Sequence, residues 1–370
     1  MRSNPVTSSQ DRRREETIRG SLPEFLWSWQ RSLIDLGNRA SLSDKYLSSL
    51  HDFMTTTTPL LFEPLAMERV WGGHRFETLL GKSIPHGTPI GELWEMVDRP
   101  EAQSVVHHGP LKGKTLHELW SHHREEIFGA RHSSNLSPRF PLLIKLLDAR
   151  ERLSVQVHPP VSRAAELGGE PKTECWYFLH AAPGASIYAG LKKGVTRDSF
   201  EKALQNGDVE ETLHRAPSQT GESIFIPSGR LHAIGEGLLI VEVQQNSDTT
   251  YRVFDWNRHG LDDKPRELHI EESMASIDFE DFEPALTPAS ASVVADCPYF
   301  VVEKHDLTTP LPIVPADDFS IITCLSGAIS CDGVTLKPGG FMLLPASFKK
   351  ATLTPQAEGT SYLVTKLPVA

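Results

Sequence analysis

From Leu60 onward the chain is cut into short apolar stretches separated by turns rich in glycine and proline. That spacing admits strands and leaves little room for long helices. Leu142–Leu147, Leu153–Val157, Trp176–Leu179, Ser223–Ile226, Leu238–Val243 and Phe341–Leu344 each have the length of a strand and are too short for a stable helix. The pattern predicts a mainly β protein built as a sandwich or barrel. Two helical patches interrupt it, Thr115–Phe128 and Thr196–Arg215, and Thr196 is suited to cap the second.

With 370 residues the chain exceeds one ordinary domain and suits two. Residues 1–58 differ from the rest. Leu22, Phe25, Leu26, Trp29, Leu33 and Leu36 recur at helical spacing, which predicts an N-terminal helical extension. Every residue tied to chemistry below follows Met54, so Met54 is the expected functional start. Residues 59–284 form the expected first β domain, with short helical insertions. A Pro- and Ala-containing linker over Glu283–Ser292 leads to a smaller β domain over 285–370. The two share a faint repeat. Gly221 to His232 reads G-E-S-I-F-I-P-S-G-R-L-H and Gly339 to Lys350 reads G-G-F-M-L-L-P-A-S-F-K-K. Aligning Pro227 with Pro345 sets Lys350 opposite His232, so the second domain is expected to lack a metal.

Hydrophobic residues make up 39% of the chain, enough for a sizeable core. The formal net charge of -11 argues against nucleic acid or an anionic membrane as partner. A small anion is still allowed, because local Lys, Arg and N–H groups meet it. Cys175, Cys297, Cys324 and Cys331 form no C-x-x-C pair and no disulfide scaffold. No apolar run has the length of a membrane span, and no apolar core follows Arg12–Arg14 as in a secretory signal. The expectation is a soluble, cytoplasmic protein.

The strongest chemical signal is Leu153-Ser154-Val155-Gln156-Val157-His158-Pro159. On a strand, Ser154, Gln156 and His158 share one face while Leu153, Val155 and Val157 take the other. Pro159 keeps His158 extended. A second element, Gly221-x5-Pro227-x-Gly229-x2-His232, sets an imidazole just past a tight turn. Glu174 stands at the head of Trp176–Leu179. Gln156, His158, Glu174 and His232 offer two nitrogens and two oxygens, a set suited to one zinc ion with an open position. His86, His107, His108, His122, His123 and His132 lack such a context and read as surface residues.

These elements resemble the cupin superfamily. Pro227-x-Gly229-x2-His232 is similar to its second motif, with Glu236 where Asn is usual. Gln156-x-His158 replaces the usual H-x-H of the first, and a long gap precedes Glu174. That departure resembles the type I mannose-6-phosphate isomerases in their short bacterial form. Trp71-Gly72-Gly73, Ile90-Gly91-Glu92-x-Trp94, Pro141–Leu147 and Val241–Arg252 add to the likeness, which covers Leu60 to Asn257 well and the C-terminal part loosely. The resemblance implies a cupin jelly-roll barrel followed by a degenerate cupin-like β domain. It also implies interconversion of mannose 6-phosphate and fructose 6-phosphate through an enediol, with a sugar phosphate as the small-molecule partner. Arg252 is then the group beside the enediolate, since a guanidinium stays charged. Glu242 and Lys172 are candidates for proton transfer, and Glu242 and Arg252 read as one long strand and its turn. Lys145 and Ser154 are the expected phosphate contacts.

Two other readings compete, an iron-dependent cupin oxygenase and a sugar-phosphate sensor without turnover. Gln156 and Lys145 speak against the first, and Arg252 with Glu242 against the second. P-loop, dinucleotide-binding and nucleophile-elbow motifs are absent from the sequence.

Overall fold

A computed structural model describes residues 58–135, 137–313, 317–348 and 351–368. The expected N-terminal extension, apart from Thr58, lies outside them, as does Lys350 of the repeat. The first eleven strands are β1 (Leu65–Gly73), β2 (Ile90–Met96), β3 (Leu142–Ala149), β4 (Val155–Val157), β5 (Glu174–Ala181), β6 (Ser186–Leu191), β7 (Leu213–Pro217), β8 (Ser223–Ile226), β9 (His232–Ile234), β10 (Leu238–Gln245) and β11 (Tyr251–Phe254). They form two antiparallel sheets, one ordered β1-β2-β3-β10-β5-β8 and the other β11-β4-β9-β6-β7.

Alternation along the strands explains why these sheets face one another. On β10, Leu238 and Ile240 join Ile187 and Ile234 of the other sheet in an inner core. Leu239, Val241 and Val243 point outward into a second core. Glu242 therefore stands on the inner face. The same alternation on β3 turns Ile144 and Leu146 outward and Lys145 inward. Lys145, set within the apolar run Leu142–Leu147, belongs to the inner row. The outer face of the second sheet, with Val155, Val157 and Val253, is covered by Phe200 and Met274 from the helices Arg197–Asn206 and Ile270–Ser276.

The remaining strands are β12 (Val293–Asp296), β13 (Val301–Asp306), β14 (Leu311–Ile313), β15 (Ser320–Ser326), β16 (Ile329–Cys331), β17 (Val334–Leu336), β18 (Phe341–Leu344), β19 (Ala351–Pro355) and β20 (Ser361–Lys366). Their sheets run β12-β13-β20-β15-β18 and β14-β19-β16-β17. The order β13-β20-β15-β18 repeats β3-β10-β5-β8, and β14-β19-β16-β17 repeats β4-β9-β6-β7. The short sequence repeat is thus one strand of a whole repeated topology, with β8 matching β18. Phe300, Phe319, Ile321, Phe341 and Leu363 pack with the outward residues of β3 and β10 in one core.

The first helical patch is two helices, Leu116–His122 and Arg124–Phe128, opened by a capping box between Thr115 and Glu118. The second is shorter than the pattern suggests. Thr196 caps it as expected, accepting from Ser199 N–H, but it stops at Gly207 in the left-handed conformation, φ 83°. Leu213–Arg215, expected as the end of this helix, belong instead to strand β7, because they pair with β6. The linker over Glu283–Ser292 makes one bridge, Thr287 to Ser223, and turns at Ala289–Ser290. Among the described residues no helix is long and apolar enough to cross a membrane.

Candidate metal centre and cavity

Strand register assembles the site from residues far apart in sequence. Across the first sheet, Trp94, Lys145, Glu242 and Trp176 are successive cross-strand partners. Across the second, Arg252 pairs with Gln156 and Gln156 with His232. The two rows face a cavity of about 360 Å³, within the range of small-molecule sites. Its lining includes Ser154, Gln156, Lys172, Glu242, Arg252 and Lys145.

Behind Gln156 and Lys172 lie three buried ligand-type groups. The ligand atoms of His158, Glu174 and His232 fall within 4.8 Å of one another. Glu174 stands 3.5 Å from Nε2 of each imidazole. The Nδ1 of His158 donates to the carbonyl of Thr249 at 2.8 Å, and that of His232 to the carbonyl of Arg230 at 2.9 Å. Both rings thereby turn an Nε2 lone pair toward the same point, the arrangement that fixes a metal-binding tautomer. Both oxygens of Glu174 are buried without a hydrogen bond. Lys172 Nζ, 2.9 Å from Oε2, supplies one cation, and the place of the carboxylate between two imidazole Nε2 atoms suits it to a metal as well. Burial alone would push the Glu174 carboxyl up, but Lys172 and the two imidazoles hold it well below the usual range. Burial, helped by Lys172, pushes His158 down to about 3 and lowers His232 too, so both rings stay neutral as ligands must. Gln156 Nε2 lies 3.2 Å from His232 Nε2. A half-turn of that amide presents its oxygen to the same point. These residues fit a metal ion with N and O ligands.

A chain of alternating charge runs along the inner wall. Arg69 binds Glu92 at 3.0 Å, Glu92 lies 3.9 Å from Lys145, and Lys145 lies 3.4 Å from Glu242. Glu242 is 4.0 Å from Lys172, which is 2.9 Å from Glu174. Glu242 Oε2 accepts the indole N–H of Trp176 at 2.9 Å, whereas its buried Oε1 accepts no hydrogen bond. Burial, with Glu174 nearby, raises the Glu242 carboxyl against the pull of Lys172 and Lys145. Glu92 is different: Lys145 and Arg69 overcome the upward push of burial and hold it at about 2.

All nine residues singled out in the sequence converge here. Glu242 and Arg252 do face one cavity, but not from one strand. Glu242 is on β10 and Arg252 on β11, in opposite sheets. The Arg252 guanidinium donates to Ser154 Oγ at 3.3 Å and to the carbonyl of Glu267 at 2.8 Å. Arg69, Glu92, Asp248, Arg266 and His269 also line the cavity and were not singled out for chemistry. For Glu92 the signal was its inward place in Ile90-Gly91-Glu92-x-Trp94; the others carry none that spacing reveals. Trp71-Gly72-Gly73 has a steric reason, since a Cβ on Gly73 would meet the buried Asp148 carboxylate at 2.4 Å. Among the set-aside histidines, His86, His107, His108 and His122 are exposed and His123 is half-buried. His132 is not a surface residue: it is buried and bonds Asp318 at 2.7 Å.

The sequence matches the family described as phosphomannose isomerase type I, catalytic domain, over residues 60–177. It is 38% identical over 320 residues to the mannose-6-phosphate isomerase ManA of Bacillus subtilis, covering 82% of this chain and 98% of that one. It is 36% identical over 304 residues to the mannose-6-phosphate isomerase of Streptococcus mutans, covering 79% and 93%. The crystal structure of the mannose 6-phosphate isomerase from Bacillus subtilis superposes with a TM-score of 0.73 at 32% identity, covering 83% of this chain and 99% of that one. A mutant of phosphomannose isomerase from Salmonella typhimurium shares the fold, with a TM-score of 0.62 at 17% identity over 84% of this chain and all of that one.

Proposed function

Because the chain belongs to the type I phosphomannose isomerase family, we propose that it interconverts mannose 6-phosphate and fructose 6-phosphate with one zinc ion per chain. The observation that carries this reading is the buried His158–Glu174–His232 cluster, its carboxylate 3.5 Å from Nε2 of each imidazole, set behind a cavity lined by Glu242 and Arg252.

Gln156, His158, Glu174 and His232 would hold the zinc ion, which would supply Lewis-acid polarisation of the substrate oxygens. The rest of the chemistry falls to side chains. Glu242 is the proposed base. Its Oε2 is anchored by Trp176, its Oε1 accepts no hydrogen bond, and a raised carboxyl is better matched to taking a carbon-bound proton. It removes the proton from C2 of the open-chain aldose and returns it to C1 of the enediol, while the hydroxyl proton passes from O2 to O1, giving the ketose. Lys172 sits between Glu242 and Glu174, where its charge favours the ionised base; it is the second candidate for proton transfer. Arg252 faces the negative charge that develops on the enediolate oxygens. Lys145 and Ser154 are the proposed phosphate contacts. Lys145 already shares its charge between Glu92 and Glu242, so its first effect is on the base.

We assign residues 59–284 to the catalytic domain and 285–370 to a metal-free β domain. The apolar core joining the outward faces of β3 and β10 to Phe319 and Phe341 supports a structural role for the second.

Substituting Arg252→Ala tests the division of labour. The variant is expected to keep its metal and lose about a hundredfold or more in kcat. Loss of metal together with rate, or an unchanged rate, would refute the role given to Arg252.

A further inference from the structure

Arg252 is buried on most of its surface and pairs with no carboxylate among the described residues. What holds it is the returning segment Asp255–His269. The backbone N–H of His269 donates to the Arg252 carbonyl at 2.8 Å. Arg252 N–H donates back to His269 Nδ1 at 3.4 Å, and its guanidinium donates to the Glu267 carbonyl at 2.8 Å. One buried group knots this segment. Asp255, 5% exposed, accepts from Arg258 Nη2 at 2.7 Å and from Arg266 Nε at 2.6 Å, with a further short contact from Arg266 Nη2. Arg258 in turn donates to the Arg152 carbonyl, and Trp256 Nε1 to the Leu153 carbonyl, both at 2.6 Å. These bonds tie the segment to the residues that lead into Ser154 and Gln156. The turn itself is forced, with Trp256 and Asn257 both at φ 57°.

We propose that Asp255 is a positioning residue for Arg252. By gripping Arg266 it sets the neighbouring Glu267 carbonyl under the Arg252 guanidinium. By spending both its oxygens on Arg258 and Arg266 it makes no ion pair with Arg252, whose side chain lines the cavity. The inference rests on the reaction assigned above and adds the element that holds its electrostatic group in place. A bidentate grip of this kind fixes geometry as well as charge.

The test is a double-mutant cycle on the zinc-loaded full chain, read as kcat and KM for mannose 6-phosphate. Asp255→Asn is expected to lower kcat about tenfold or more, to change KM less than about threefold and to leave metal content unchanged. In an Arg252→Lys background the same substitution is expected to change kcat less than about twofold, because the group it positions is already gone. Arg266→Gln cuts the strap at its other end and is expected to show the same dependence on Arg252, so it carries the test if Asp255→Asn does not fold. A wild-type kcat in these variants, or a loss repeated in full in the Arg252→Lys background, would overturn the proposal. A folded wild type without turnover would instead remove the reaction assignment. Positioning is then read from amide hydrogen exchange at His269. Faster exchange in Asp255→Asn supports it, and unchanged exchange overturns it.

Discussion

Lys145 on β3 and Glu242 on β10 are direct cross-strand partners, and Nζ of the first lies 3.4 Å from Oε1 of the second. Both are buried, 3% exposed each. The pair couples the cation first suggested by the sequence as a phosphate contact to the proposed base. Removing one member of a buried pair costs more than its net contribution, because the other is left without its countercharge.

Lys145→Met is therefore expected to destabilise the fold by about 3 kcal/mol. It is also expected to move the acid limb of the kcat/KM profile to higher pH. The direction follows from the pair: Lys145 lowers the Glu242 carboxyl, a base must be ionised to act, and without the lysine it ionises later. A pH–rate series on wild type and variant checks this. An unmoved acid limb would show that Lys145 does not tune the base.

Glu174→Gln should release the metal. The variant keeps the shape of the side chain and removes the charge that the two buried oxygens present to a cation. Metal content after dialysis against a weak chelator is expected to fall at least about tenfold relative to wild type. Full retention would mean that the metal is held elsewhere.

The metal-free protein should lose stability in acid through His158. Its imidazole titrates near 3 when folded, against an ordinary value of 6.5. Between those limits the unfolded chain binds a proton that the folded chain does not, so stability is full above about 6.5 and falls as pH drops toward 3. Denaturant midpoints of chelated wild type and His158→Gln at pH 7.5 and 5 check this. The wild type should lose more on acidification than the variant. Equal losses would contradict it.

Trp176→Phe keeps an aromatic ring, smaller than the indole, and removes the N–H that holds Glu242 Oε2 at 2.9 Å. A hydrogen bond to a charged group contributes about 1.5–3 kcal/mol. The substitution should raise the Glu242 carboxyl and reduce kcat, with metal content unchanged. A wild-type pH profile and rate would remove Trp176 from the account.

The strands and the residues of the candidate metal cluster were legible because both follow local rules. Period-two alternation turned Ser154, Gln156 and His158 to one face, and Thr196 capped its helix as its side chain allows. Features set by the fold escaped, as did the burial of His132 against Asp318. The second helix was overrun because nothing local says that Leu213–Pro217 will pair with β6. Glu242 and Arg252 read as one strand because the short turn Asn246–Thr250, which carries the chain from one sheet to the other, is brief enough to pass for a bend. The Arg69–Glu92–Lys145 chain and the Asp255 knot join residues through the fold, and such pairings leave no periodic trace in the sequence.

The most direct test of the central claim is a coupled assay of mannose 6-phosphate conversion to fructose 6-phosphate. It is run on the protein as purified, after chelation, and after zinc is restored. Activity that disappears with the chelator and returns with zinc is the predicted result. A folded, zinc-loaded protein that leaves mannose 6-phosphate unchanged would contradict the account.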